Sequence, residues 1–208
     1  MGCAVSALVD RAIDAAGLGP VVLARRTGTL GQTHLAQLRR ADLLAVGALA
    51  DRLRAEEVGD EVRIYTDASG ASIPANGGTD EGRLVVLPGE GSDLTGLELL
   101  REVALARIMG LAHRNVRVNF TACGMELAQV AVGFGANELA GQIASKRGLP
   151  FADGELLGVG KRSRLVAAHL VKQSELSGFL RRAGRTPRFV QDGTSPALPG
   201  RGQHTEVT

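Results

Sequence analysis

Two carboxylates, Asp67 and Glu138, fall near the ends of predicted strands, where a general acid and base could sit. Acid–base work would need them within hydrogen-bond reach of one reacting group, and nothing in their spacing brings them together. Other chemistry has less to stand on. The chain has two cysteines, Cys3 and Cys123, too few for a disulfide scaffold or a four-thiolate site. Cys123 reads as a small buried residue. His34, His113, His169 and His204 show neither HxH nor HExxH spacing and read as surface side chains. The stretch GFGANELAG, 133–141, superficially resembles a dinucleotide loop. The third glycine of GxGxxG would have to be residue 138, which is Glu138, and the stretch follows a helix rather than a strand. Glu56, Glu57, Asp60 and Glu61 crowd one helix end and read as a solvated acidic face. There is no P-loop and no GxSxG elbow.

The elements that must position these residues belong to a chain of 208 residues, 44% hydrophobic and 22% charged, the balance of one globular domain with a real core. A net charge of +2 and 3% aromatic residues give neither a field nor a stacking platform for nucleic acid. No apolar run is long enough to span a membrane. Met1, Gly2, Cys3 and Ser6 fit a myristoylation pattern formally. Residues 5–16, however, look like a helix that needs burial, so a cytoplasmic start is expected.

Val5, Leu8, Val9, Ala12, Ile13 and Ala16 recur at helical spacing, and Gly17 with Gly19-Pro20 stops that helix. A short helical piece follows over 33–40. Asp42 caps a third helix whose face is Val46, Leu49, Ala50 and Leu53 and which Gly59 ends. Val62–Tyr65 predicts a strand, 66–82 a loop, Leu84–Leu87 a buried strand and 94–112 a strong helix, in which Leu97, Leu100, Ala104, Ile108 and Leu111 mark the apolar face. Val116–Phe120 predicts a third strand and Met125–Val132 a helix. GFGANELAG then holds a short fourth strand or a tight loop, and a helix is expected over 161–171. Ser174 caps a last helix with Leu176, Phe179, Leu180 and Ala183 inward and Gly184 after it, and Arg188–Val190 adds a further strand. The tail 192–208 has little to bury and is expected to be disordered. Strands alternating with helices predict parallel β structure with α crossovers.

Four stretches together resemble one family: RRADLLAVGALADRLRAEEVGDEVRIY (39–65), LVVLPGEGSDLTGLELLREVALARIMG (84–110), NVRVNFTACGMELAQVAVGFGANELAGQ (115–142) and SELSGFLRRAGRTPRF (174–189). In that order they are similar to segments of the radical S-adenosylmethionine enzymes of futalosine-dependent menaquinone biosynthesis. That group contains aminofutalosine synthase, cyclic dehypoxanthinyl futalosine synthase and the deazaflavin cofactor synthases. In the family, the first barrel strand leads into a CxxxCxxC loop whose thiolates hold a four-iron, four-sulfur cluster, and thiolates are what such a cluster requires. Here the loop is TDASGASIPANGG, with no thiol and no histidine. Asp67 and Asp80 are hard oxygen ligands and do not substitute. The stretch 66–83 is also shorter than the roughly 30 residues of one βαβ unit.

The resemblance therefore implies an α/β fold that is a partial, half TIM-like barrel. About four parallel strands with flanking helices would follow N-terminal helices, with 1–191 forming one domain (helices to residue 60, barrel fragment over 61–191). The retained strands would be the first and the last three, neighbours in a closed barrel. Asn119, Asn137, Glu138 and Gln142, with Asp67, would line what is left of the barrel mouth. The plainer alternative is a turn in which Gly135 and Asn137 merely supply unusual backbone angles. Two functions follow as expectations. One is a non-catalytic relative without cofactor that acts as a homodimer or on a full-length radical enzyme paralogue. The other is a binder or enzyme for S-adenosylmethionine, a nucleoside or an aromatic metabolite, using the remnant pocket. Either way, anaerobic reconstitution with iron and sulfide is expected to leave the protein colourless, and a stoichiometric four-iron signal would refute the loss of the cluster.

Overall fold

The computed structural model describes residues 2–66, 84–88, 92–110, 114–141, 143–144 and 171–190. Four helices open the chain: α1 (Gly2–Ala15), α2 (Gly19–Thr27), α3 (Gln32–Arg40) and α4 (Leu43–Val58). The second was not anticipated. Gly19-Pro20 reads as a stop signal, yet proline stands in the first turn of α2, where its missing N–H costs nothing. The same dipeptide that closes one helix opens the next. On α1 the apolar spacing overstated burial: Ile13 is buried, Leu8 and Ala12 are exposed. On α4 all four expected face residues are buried, and the Asp42 carboxylate accepts from the Ala45 N–H at 3.0 Å, a cap that contributes about 1 kcal/mol.

Strand β1 (Glu61–Thr66) follows, then β2 (Leu84–Leu87), α5 (Gly96–Met109), β3 (Asn115–Asn119), α6 (Phe120–Cys123), α7 (Met125–Val132) and β4 (Glu138–Gly141). Thr95 and Glu98 close a capping box at the start of α5, where Leu97 is exposed rather than inward. Two short strands, β5 (Ile143–Ala144) and β6 (Val171–Lys172), pair with each other. The last elements are α8 (Gln173–Arg182) and β7 (Thr186–Val190). Ser174 thus lies inside the first turn of α8 instead of capping it, and Ala183 is exposed beyond its end, while Leu176 and Leu180 are buried as expected. Of the helix expected over 161–171, Val171 belongs to β6 and the rest lies outside the described residues, as does the tail 192–208.

The protein is α/β, with a five-stranded parallel sheet in the order β2-β3-β4-β1-β7. Helix α5 carries the chain from β2 to β3, and α6 with α7 carry it from β3 to β4. The first strand lies beside the fourth, with Arg63 opposite Glu138 and Ile64 opposite Leu139. On its other side β1 pairs with β7, the further strand expected over Arg188–Val190, which brings the sheet to five strands where the resemblance implied about four.

Register divides the sheet into two unlike faces. Val62 and Ile64 of β1, Val116 and Val118 of β3 and Leu139 of β4 share one face and are fully buried in a core with α4, α5 and α7. The opposite face carries Glu61, Arg63 and Tyr65 of β1, Asn115, Arg117 and Asn119 of β3, and Glu138 of β4. Parallel sheets ordinarily cover both faces with apolar contacts. A charged face on the central strands is therefore the feature that needs a reason.

Candidate functional site

Glu138 opens β4 and is 1% exposed. The register places it between the middle residues of its two neighbours, Arg63 on β1 and Arg117 on β3. Arg117 donates to Glu138 Oε2 from Nε at 2.9 Å, and its Nη2 stands 2.8 Å from the same oxygen. Arg63 Nη2 stands 3.1 Å from Oε1 and also donates to Asn115 Oδ1 at 2.6 Å. The Tyr65 hydroxyl donates a long bond, 3.4 Å, to Oε1. The Arg117 guanidinium lies over the Tyr65 ring, 3.9 Å from its centroid, a cation–π contact strengthened by its burial. Burial pushes the Tyr65 hydroxyl above its ordinary range, and the Glu138 charge adds to this. Two guanidiniums, one carboxylate and one phenol thus form a fixed group spanning three strands.

The residues anticipated from sequence are distributed differently. Glu138 is at the centre of this group. Asn119 ends β3 on the same face, but its Oδ1 accepts from the Thr121 and Ala122 N–H groups and so caps α6. Asn137 is not at the strand ends that lead out of the sheet; it precedes β4, on the opposite side. There it is buried, accepting from Arg107 Nη2 at 2.7 Å and the Val116 N–H at 2.9 Å, while its amide donates to Asn115 Oδ1 at 3.0 Å. The displacement has a local cause. β4 begins directly after Asn137, so this side chain reaches the beginning of β3 rather than its end. Asp67 and Gln142 lie outside the described residues. Gly135 has φ of 101°, as the turn reading required, and a side chain there would come within 3.0 Å of Arg107 Cβ.

Arg107, from α5, organises this second group. It is fully buried and donates to the Gly135 and Arg114 carbonyls and to Asn137, with Glu57 of α4 at 3.5 Å. Burial draws its guanidinium down to about 10, with Glu57 opposing the shift, so it remains charged at neutral pH. Glu57 also pairs with Arg25 of α2 at 2.5 Å. This group ties helices to strand beginnings and is structural. Among the described residues no cluster of three or more His, Cys, Asp or Glu could hold a metal ion. Cys123 is half-buried, which raises its thiol above the usual range and makes it a poor nucleophile.

Sequence reasoning missed Arg63, Tyr65 and Arg117. The signal was present as strict alternation in EVRIY and NVRVN, polar residues at every second position of strands assigned to a parallel sheet. No known family model, no curated protein and no solved structure matches this chain. No helix among the described residues is long and apolar enough to cross a membrane.

Tyr65 is the only tyrosine, and there is no tryptophan, so its ionisation can be followed directly by absorbance. The folded protein should form phenolate at a higher pH than the denatured chain. Because the raised value belongs to the folded state, stability should fall as pH rises from about 10 toward that value. Glu138→Gln should lower the folded midpoint, because the carboxylate charge is one of the two influences that raise it. Coincident titrations of folded and denatured wild type would contradict this environment.

Proposed function

We propose that this protein binds a small polar molecule on the charged face of its sheet and does so without an iron–sulfur cluster. The observation that carries the reading is the Arg63–Glu138–Arg117–Tyr65 group, set on the middle strands of a parallel sheet where apolar packing would be the ordinary solution. In open parallel α/β folds, ligands sit beyond the carboxyl ends of the strands. Tyr65 stands next to last in β1 and Asn119 last in β3. The reading fits a half-barrel descended from the radical S-adenosylmethionine enzymes of the futalosine route, since the first strand neighbours the fourth as it would in such an arc. The ligand classes implied are S-adenosylmethionine itself, a nucleoside or an aromatic metabolite.

The test is titration with S-adenosylmethionine and with adenosine, read by Tyr65 emission and by the shift in melting temperature. Binding should change the emission and raise the melting temperature with ligand concentration. If neither ligand moves either signal at millimolar concentration, these two ligand classes are eliminated.

A second reading is action through a protein partner, by self-association or on a longer radical enzyme paralogue. It is favoured by the unequal outer strands of the described sheet. Strand β7 carries Pro187, which has no N–H to offer, and the exposed Arg188, both of which discourage further pairing. Strand β2, with sequence LVVL, carries no such guard. This reading expects a stable dimer by size exclusion with light scattering. A mass equal to one chain across a wide concentration range would remove self-association.

A further inference from the structure

We infer that the charged sheet face contains a subsite for an oxyanion, carboxylate or phosphate, with Arg63 as the group that meets it. The inference rests on the ligand-binding reading above and specifies the chemistry of that ligand.

Glu138 already faces two nitrogens of Arg117, one of Arg63 and the Tyr65 hydroxyl. Asn119 Oδ1 is occupied by two backbone N–H groups. Asn115 Oδ1 accepts from both Arg63 and Asn137. The carboxylate and amide acceptors in the middle of the face are therefore consumed within the protein. The remaining acidic group, Glu61, is at the beginning of β1 and is paired with Arg188 at 3.3 Å.

The donors are not exhausted. A guanidinium carries five N–H groups. Arg63 engages Asn115 and Glu138 through Nη2 alone, so Nε and Nη1 have no partner among the described residues. Its side chain is 33% exposed, whereas Arg117 behind it is 6% exposed. Charge points the same way: Arg63 and Arg117 share the single carboxylate of Glu138, leaving one positive charge uncompensated among the described residues. Among the described residues the face thus has spare donors, spent acceptors and a surplus positive charge, which is complementary to an anion rich in acceptors. The ion pair with Glu138 and the hydrogen bond to Asn115 also hold the Arg63 guanidinium in place before any ligand arrives, which lowers the ordering cost of binding.

The experiment compares anions with neutral counterparts of similar shape on the full chain: adenosine monophosphate against adenosine, and succinate against succinamide, by calorimetry. At least one anion should bind about tenfold or more tightly than its neutral counterpart, the scale of charge-assisted hydrogen bonds. The pair that shows the preference identifies phosphate or carboxylate. Arg63→Gln should abolish the preference, Arg63→Lys should retain part of it, and Arg188→Gln should leave it intact. Circular dichroism establishes that each variant is folded. Equal binding of anion and neutral partner overturns the oxyanion subsite while leaving a ligand site in place. A preference that survives Arg63→Gln, or vanishes equally in Arg188→Gln, overturns the assignment to Arg63. If none of the four molecules binds, the subsite is overturned, and the broader reading then depends on S-adenosylmethionine or an aromatic metabolite.

Discussion

A carboxylate at the position of Glu138 is tolerable only because two guanidiniums flank it. Its solvation is gone, and the attraction of an ion pair in such a place compensates only when the geometry is good and the remaining lone pairs are satisfied. Both conditions depend on register. If β4 slipped by one residue, Leu139 would enter the polar face and Glu138 would enter the apolar core among Val62, Ile64, Val116 and Val118. The ion group and the core thus enforce the same alignment from opposite faces. The alignment in turn aims Arg63 and places Tyr65 under Arg117.

The second buried group, around Arg107, handles a different task. Helix α5 supplies a charge that reaches past Gly135 to the beginnings of β3 and β4, and Glu57 brings α4 and α2 to the same point. Its contacts are mostly to carbonyls and amides that would otherwise be unsatisfied where strands start. It sits at the strand beginnings, the end that in parallel α/β proteins serves stability.

What the sequence disclosed follows from what local pattern can encode. Helix α4 was legible because Asp42, four apolar positions and Gly59 all agree, and α5 because its period is long and regular. Helix α2 was hidden because Gly-Pro ends one helix and begins another with the same two residues. The candidate site was half legible. Glu138 could be picked out as a carboxylate near a predicted strand end, but its partners lie on strands whose pairing no spacing in the chain reveals. Asn137 was misplaced by one boundary, since whether it precedes or follows the start of β4 decides which side of the sheet it serves. The alternation in EVRIY and NVRVN held the missing information. It becomes telling only once those strands are known to be central and parallel, because an edge or antiparallel strand would alternate for no special reason.

The position of β1 has a consequence for how the molecule is made. It is the first strand in the chain, yet its two neighbours, β4 and β7, are both synthesised after β2 and β3. From its emergence until β4 has been made, β1 has no strand partner among the described residues, and its apolar residues Val62 and Ile64 await the part of their core that β3, β4, α5 and α7 supply. Long-range parallel pairing of this sort slows folding, and an unpaired strand invites association with the wrong chain in the interval. The cluster of four helices that precedes it is the material available for temporary cover. Of the elements that share the core with Val62 and Ile64, only the N-terminal helices, α4 among them, precede β1 in the chain.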